Sequence, residues 1–150
     1  MSGTETWIGR KLGLVRLSNK PLISIVDDDE AVREATKGLM RAVGFRADAF
    51  GSAEDFLKFV RLHSTACLIA DVQMPRMSGL ELHRRLVASG LSIPTILITA
   101  YPNDSGRERA LKAGVIGYLT KPFNMDELLG CIEAALERQP AGSCRDDIST

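Results

Sequence analysis

Leu22-Ile23-Ser24-Ile25-Val26-Asp27-Asp28-Asp29-Glu30 is the stretch on which the fold turns. Residues 22–26 form a short, β-branched, mainly apolar run without polar alternation, as expected of a strand buried on both faces. Three acids end the run. From Glu30 the period changes: Val32, Ala35, Leu39 and Val43 fall on one helical face, and Gly44 serves as the C-cap.

Outward from this first unit the alternation continues. Residues 45–50 read as a second strand, and Ser52 with Asp55 opens a helix striped by Phe56, Phe59 and Val60. Cys67-Leu68-Ile69-Ala70 is a third strand, after which Met77-Ser78-Gly79 leads into a helix carrying Leu82, Leu86 and Val87. Pro94-Thr95-Ile96-Leu97-Ile98 and residues 116–120 are the fourth and fifth strands. A weaker helix over 104–113 lies between them, closed by Gly114. The last helix begins at Asn124, keeps Leu128, Ile132, Ala135 and Leu136 on one side, and gives way at Pro140. The segment 101–109 is a poor helix start, because Gly106 costs about 1 kcal/mol against Ala in a helix interior. Its apolar stripe is nearly absent before Leu111, so it is predicted to be mobile or partly unwound. Five βα units imply an α/β, doubly wound parallel sheet covered on both faces. Such folds take ligands outside the carboxyl ends of the strands, where strand order reverses.

Composition narrows the classes. A chain of 150 residues, 45% apolar and 25% charged, suits one domain with its own core. Residues 1–20, with Arg10, Lys11, Arg16 and Lys20 against Glu5, read as a basic, poorly ordered extension. The folded domain is expected over 21–138, and 139–150 reads as a polar tail with no output domain in it. A formal net charge of zero offers no support for nucleic-acid binding. No membrane span or signal peptide is apparent, so a cytoplasmic location is expected. Cys67, Cys131 and Cys144 are too scattered for a zinc site, and the first two read as small buried hydrophobes. His63 and His83 read as surface helix residues. Trp7 supports no hypothesis.

The strand ends carry the chemistry. Asp27 and Asp28, with Asp29 behind them, end strand 1; Asp71 ends strand 3, Thr99 strand 4 and Lys121 strand 5. Carboxylates converging there repel and raise one another's pKa unless a hard cation such as Mg²⁺ joins them. A carboxylate can accept a phosphoryl group, and such transfer depends on positioning and charge neutralisation. Asp71 is therefore expected to be the acceptor. Asp28, Asp71 and a main-chain carbonyl just beyond Asp71 would hold the metal, and Lys121 and Thr99 would contact other phosphoryl oxygens.

Four segments, Ile25-Val26-Asp27-Asp28, Ala70-Asp71-Val72-Gln73-Met74-Pro75, Ile98-Thr99-Ala100 and Tyr118-Leu119-Thr120-Lys121-Pro122-Phe123, occur in this order. Together they make the chain resemble a response-regulator receiver domain of two-component signalling, closest in wording to FixJ-type receivers. The resemblance covers nearly all of 21–138. It implies the flavodoxin-like (βα)5 fold with strand order 2-1-3-4-5. It also implies Asp71 as phosphoacceptor, and Asp27, Asp28, Asp71 and the Gln73 carbonyl around Mg²⁺ (or Mn²⁺). Thr99 and Tyr118 would be switch residues, Lys121 the phosphate-binding lysine, and Lys121–Pro122 a cis bond. The implied donor is a sensor histidine kinase or histidine phosphotransfer protein. The implied output is a downstream protein bound by the face of helix 4, strand 5 and helix 5, and no activity beyond self-phosphorylation and autodephosphorylation is expected. One rival is the N-terminal receiver portion of a longer DNA-binding regulator. Another is an aspartate-nucleophile phosphatase, disfavoured because Gln73 stands where its general acid belongs. Tyr118 could also be plain core packing.

Overall fold

The computed structural model describes residues 20–59 and 61–139. Its elements, in order, are β1 (Leu22–Val26), α1 (Glu30–Ala42), β2 (Arg46–Phe50), α2 (Ala53–Leu57), a 3-10 turn (Leu62–Ser64), β3 (Thr65–Asp71) and α3 (Gly79–Ala88). Then follow β4 (Thr95–Thr99), α4 (Asp104–Lys112), β5 (Gly117–Thr120) and α5 (Met125–Gln139). The strands form one sheet of order β2-β1-β3-β4-β5, all neighbours parallel, as the resemblance implied.

The absence of alternation in β1 has its cause in two apolar layers. Ile23 and Ile25 face one way, with Cys67, Ile69, Ile96 and Ile98, and meet Met40 of α1 and Leu128, Ile132 and Leu136 of α5. Val26, Leu68, Ala70 and Leu97 face the other way onto Phe56, Leu82, Leu86 and Ala110. Each fully buried large apolar side chain contributes roughly 1.5–3 kcal/mol, so both layers contribute to holding the sheet between its helices. Ser24, the polar residue inside β1, is fully buried, and its hydroxyl is 2.8 Å from that of Thr65.

Capping fixes where helices begin. The side chains of Asp29, Ser52, Ser78 and Asn103 each accept a backbone N–H of the first turn, and Asn124 accepts from the N–H of Glu127. Gly44, at φ 104°, closes α1 as expected.

Several expectations require correction. Ala35 and Val87 are exposed; the inner faces instead use Thr36 and Met40 in α1 and His83 in α3. His83 is buried, not a surface residue. One ring nitrogen is 3.0 Å from Thr95 Oγ1 and the other 3.0 Å from the Ala113 carbonyl, so burial leaves neither unpaired. The segment after Tyr101 is not unwound: α4 is a regular helix from Asp104. The Asn103 cap holds its start, and Asp104 and Lys112 complement the helix dipole at its two ends. Val60, Cys144, Trp7, Pro140, the basic extension through residue 19 and the tail from 140 lie outside the described residues.

Candidate phosphoacceptor site

Register brings the acids together. Val26 of β1 is paired with Ala70 of β3, so the residues that follow, Asp27 and Asp71, emerge side by side where strand order reverses. Asp27 and Asp71 are buried, whereas Asp28 is exposed at the mouth. One carboxylate oxygen from each of Asp27, Asp28 and Asp71 lies within 4.8 Å of the others. From the end of β5, Lys121 Nζ reaches Asp27 Oδ2 at 3.1 Å and Asp71 Oδ2 at 3.5 Å.

The electrostatics follow from that crowding. Burial, then the Asp27 charge, pushes the Asp71 carboxyl up from 3.8 to about 6, against the opposing pull of Lys121 and the Gln73 N–H. Burial draws the Lys121 ammonium down, but hydrogen bonding and charge from Asp27 and Asp71 outweigh it and leave its pKa raised. Three carboxylates facing one ammonium leave two negative charges, which a divalent cation would balance. The donor set is entirely hard oxygen, which suits Mg²⁺ better than a soft metal. The residues fit such an ion.

Around this centre the Gln73 N–H lies 3.4 Å from Asp71 Oδ1. The Gln73 side-chain carbonyl accepts the Thr99 hydroxyl proton at 2.8 Å, and Thr99 Oγ1 accepts the Tyr101 N–H at 2.9 Å. Thr99 therefore connects to Asp71 through Gln73. Tyr118 does not join the cluster: half-buried, it packs on α4, with the Arg107 guanidinium 6.0 Å above its ring. The Lys121–Pro122 bond is cis, as the resemblance implied.

Residues 23–133 match the family model described as the response regulator receiver domain. The chain belongs to that family. As a receiver it is 43% identical over 129 residues to response regulator protein TodT of Pseudomonas putida, a match covering 85% of this chain and 57% of TodT. It is 32% identical to transcriptional regulatory protein FixJ of Bradyrhizobium diazoefficiens over 83% of this chain and 62% of FixJ. The crystal structure of FixJ-N superposes with a TM-score of 0.72 at 36% identity, covering 78% of this receiver and 94% of that chain. The response regulator StyR does so with 0.76 at 40%, covering 87% and 68%. The receiver thus spans about three-fifths of the length of these curated relatives. Among the described residues, no helix is long and apolar enough to cross a membrane.

Two further residues belong to the site. Arg33 Nη1 donates to the Asp27 carbonyl at 2.9 Å. Gly79 packs so closely that a Cβ there would stand 2.5 Å from the Asp71 carbonyl oxygen. Arg33 offered no signal, because a lone Arg on a helix looks like a solvated charge. Gly79 offered a faint one: a glycine just after the capping Ser78, where almost any residue begins a helix well.

Proposed function

We propose that this receiver accepts a phosphoryl group on Asp71 from a phosphohistidine of a sensor kinase or phosphotransfer protein in the cytoplasm. The observation that carries the reading is the Asp27–Asp28–Asp71 cluster bridged by Lys121. An Asp71 carboxylate oxygen attacks phosphorus, the phosphorus–nitrogen bond breaks, and the imidazole leaves with the electron pair. Asp27, Asp28, Asp71 and the Gln73 carbonyl would hold Mg²⁺, which when bound supplies positive charge to the phosphoryl oxygens. Lys121, freed from its carboxylate partners, pairs with one of those oxygens, and the Thr99 hydroxyl exchanges its Gln73 acceptor for another. That exchange draws Thr99 toward Asp71 and opens space for Tyr118 to turn inward. The face of α4, β5 and α5 is thereby remodelled through a shift between two populated states. Self-phosphorylation and autodephosphorylation are its only chemistry.

Incubation with acetyl phosphate and Mg²⁺ should add one phosphoryl group to the intact mass of the wild type and none to Asp71→Asn. Equal labelling of the two proteins sinks the assignment. A second reading places this receiver at the N-terminus of a longer DNA-binding regulator. It is favoured by the greater length of TodT and FixJ and by the fact that FixJ is a transcriptional regulatory protein. An immunoblot of the native product distinguishes the two by size.

A further inference from the structure

Arg33 sits on α1 with its side chain only 19% exposed. Its Nε lies 3.9 Å from Glu34 Oε2, a half-exposed contact of little energetic weight. Its short bond is elsewhere, from Nη1 to the main-chain carbonyl of Asp27 at 2.9 Å. The guanidinium lies against Gly51, where an added Cβ would come within 3.2 Å of Nη1. Asp27 is thereby held on every polar group. Its N–H donates to the Phe50 carbonyl at 3.1 Å, Oδ1 accepts from the Asp29 N–H at 2.9 Å, and Oδ2 faces Lys121 at 3.1 Å.

We propose that Arg33 is a positioning residue of the phosphoacceptor site. Pinned on the Asp27 carbonyl, it fixes the peptide plane joining Asp27 to Asp28 and so sets the two carboxylates relative to each other for a divalent cation. The inference rests on the phosphoacceptor reading above. It gives Arg33 no contact with the cation or the phosphoryl group. Groups that orient ligand-bearing residues from behind commonly govern metal affinity about as strongly as tenfold to a hundredfold. Lysine does not substitute, because a single ammonium lacks the planar fork that reaches the Asp27 carbonyl while packing beside Gly51.

The test uses the full chain. Mg²⁺ affinity is measured by titration calorimetry, and the Lys121 Nζ resonance is recorded in metal-free protein, for wild type, Arg33→Ala, Arg33→Lys and Gly51→Ala. Arg33→Ala should weaken Mg²⁺ binding about tenfold and shift the Lys121 signal as Asp27 moves. Arg33→Lys should stay weak. Gly51→Ala, which keeps the arginine but crowds it, should move both readouts in the same direction by less. Tighter Mg²⁺ binding in Arg33→Ala with wild-type behaviour in Arg33→Lys would mean that Arg33 acts only as a charge, and overturns the proposal. So does a lowered Tm with unchanged Mg²⁺ affinity and an unmoved Lys121 signal. A wild type that takes up neither Mg²⁺ nor a phosphoryl group overturns the phosphoacceptor reading instead. The metal-free Lys121 signal still reports whether Arg33 places Asp27.

Discussion

The Thr99 hydroxyl donates to Gln73 Oε1 at 2.8 Å, a bond that the proposed phosphorylation of Asp71 would have to displace. A neutral hydrogen bond nets about 1 kcal/mol, and releasing it corresponds to about fivefold in affinity. Gln73→Ala should therefore tighten beryllofluoride binding in the presence of Mg²⁺ by about that factor, measured by NMR titration. Unchanged or weaker binding would remove Gln73 from the switch. The family resemblance implies a place for the Gln73 main chain beside a metal and gives its side chain no role. The difference is physical. Asp27, Asp71, Thr99 and Lys121 stand at or just past strand ends, so strand pairing alone predicts that they meet. The Gln73 and Arg33 side chains are aimed by turn geometry and helix packing, which a one-dimensional pattern does not carry.

At the scale of elements, the strands were legible because burial on both faces removes polar alternation, leaving short β-branched apolar runs bounded by polar strand ends. The helices were less so. In α4 the weak propensity around Gly106 was outweighed by the Asn103 cap, which accepts the Gly106 N–H at 2.6 Å. In α3 the inner face was misassigned because a histidine with both nitrogens satisfied can occupy the core as readily as a valine. The start of α3 carries its own prediction. Its first residue, Gly79, lies under the Asp71 carbonyl, and a methyl group there would sit 2.5 Å from that oxygen and 3.0 Å from Leu97 Cδ2. Backbone cannot yield as a side-chain tip can, so α3 must shift from β3. Overpacking of this kind costs about 1–3 kcal/mol. Gly79→Ala should lose that much in urea unfolding and should slow labelling by acetyl phosphate, because the segment that joins Asp71 at the end of β3 to α3 carries Gln73. A variant as stable and as reactive as the wild type would show that α3 is free to move.

For the molecule as a whole, the two apolar layers must hold an acidic cluster at one edge of the sheet, and this cost appears in the pH dependence of folding. Asp71 rises from 3.8 to about 6, chiefly through burial and then through the charge of Asp27. A carboxyl whose pKa is higher folded than unfolded stabilises the fold while it is protonated. That stability is present in full below about pH 4 and is lost as pH rises through about 6. Such a rise corresponds to about 3 kcal/mol at full strength, which solvent at the mouth of the crevice screens to about 1–2 kcal/mol. Carboxylates remote from the crevice contribute equally to both proteins, so the informative quantity is the difference between wild type and Asp71→Asn. In metal-free buffer the two proteins should unfold at similar urea concentrations near pH 4. The asparagine variant should become the more stable by about 1–2 kcal/mol near pH 7. Added Mg²⁺ should close the gap, because an ion bound by the native carboxylates stabilises the wild type through linkage. A difference that does not vary with pH would mean that Asp71 ionises in the folded protein as freely as in the unfolded chain. Its neighbours would then impose no charge strain for a cation to relieve.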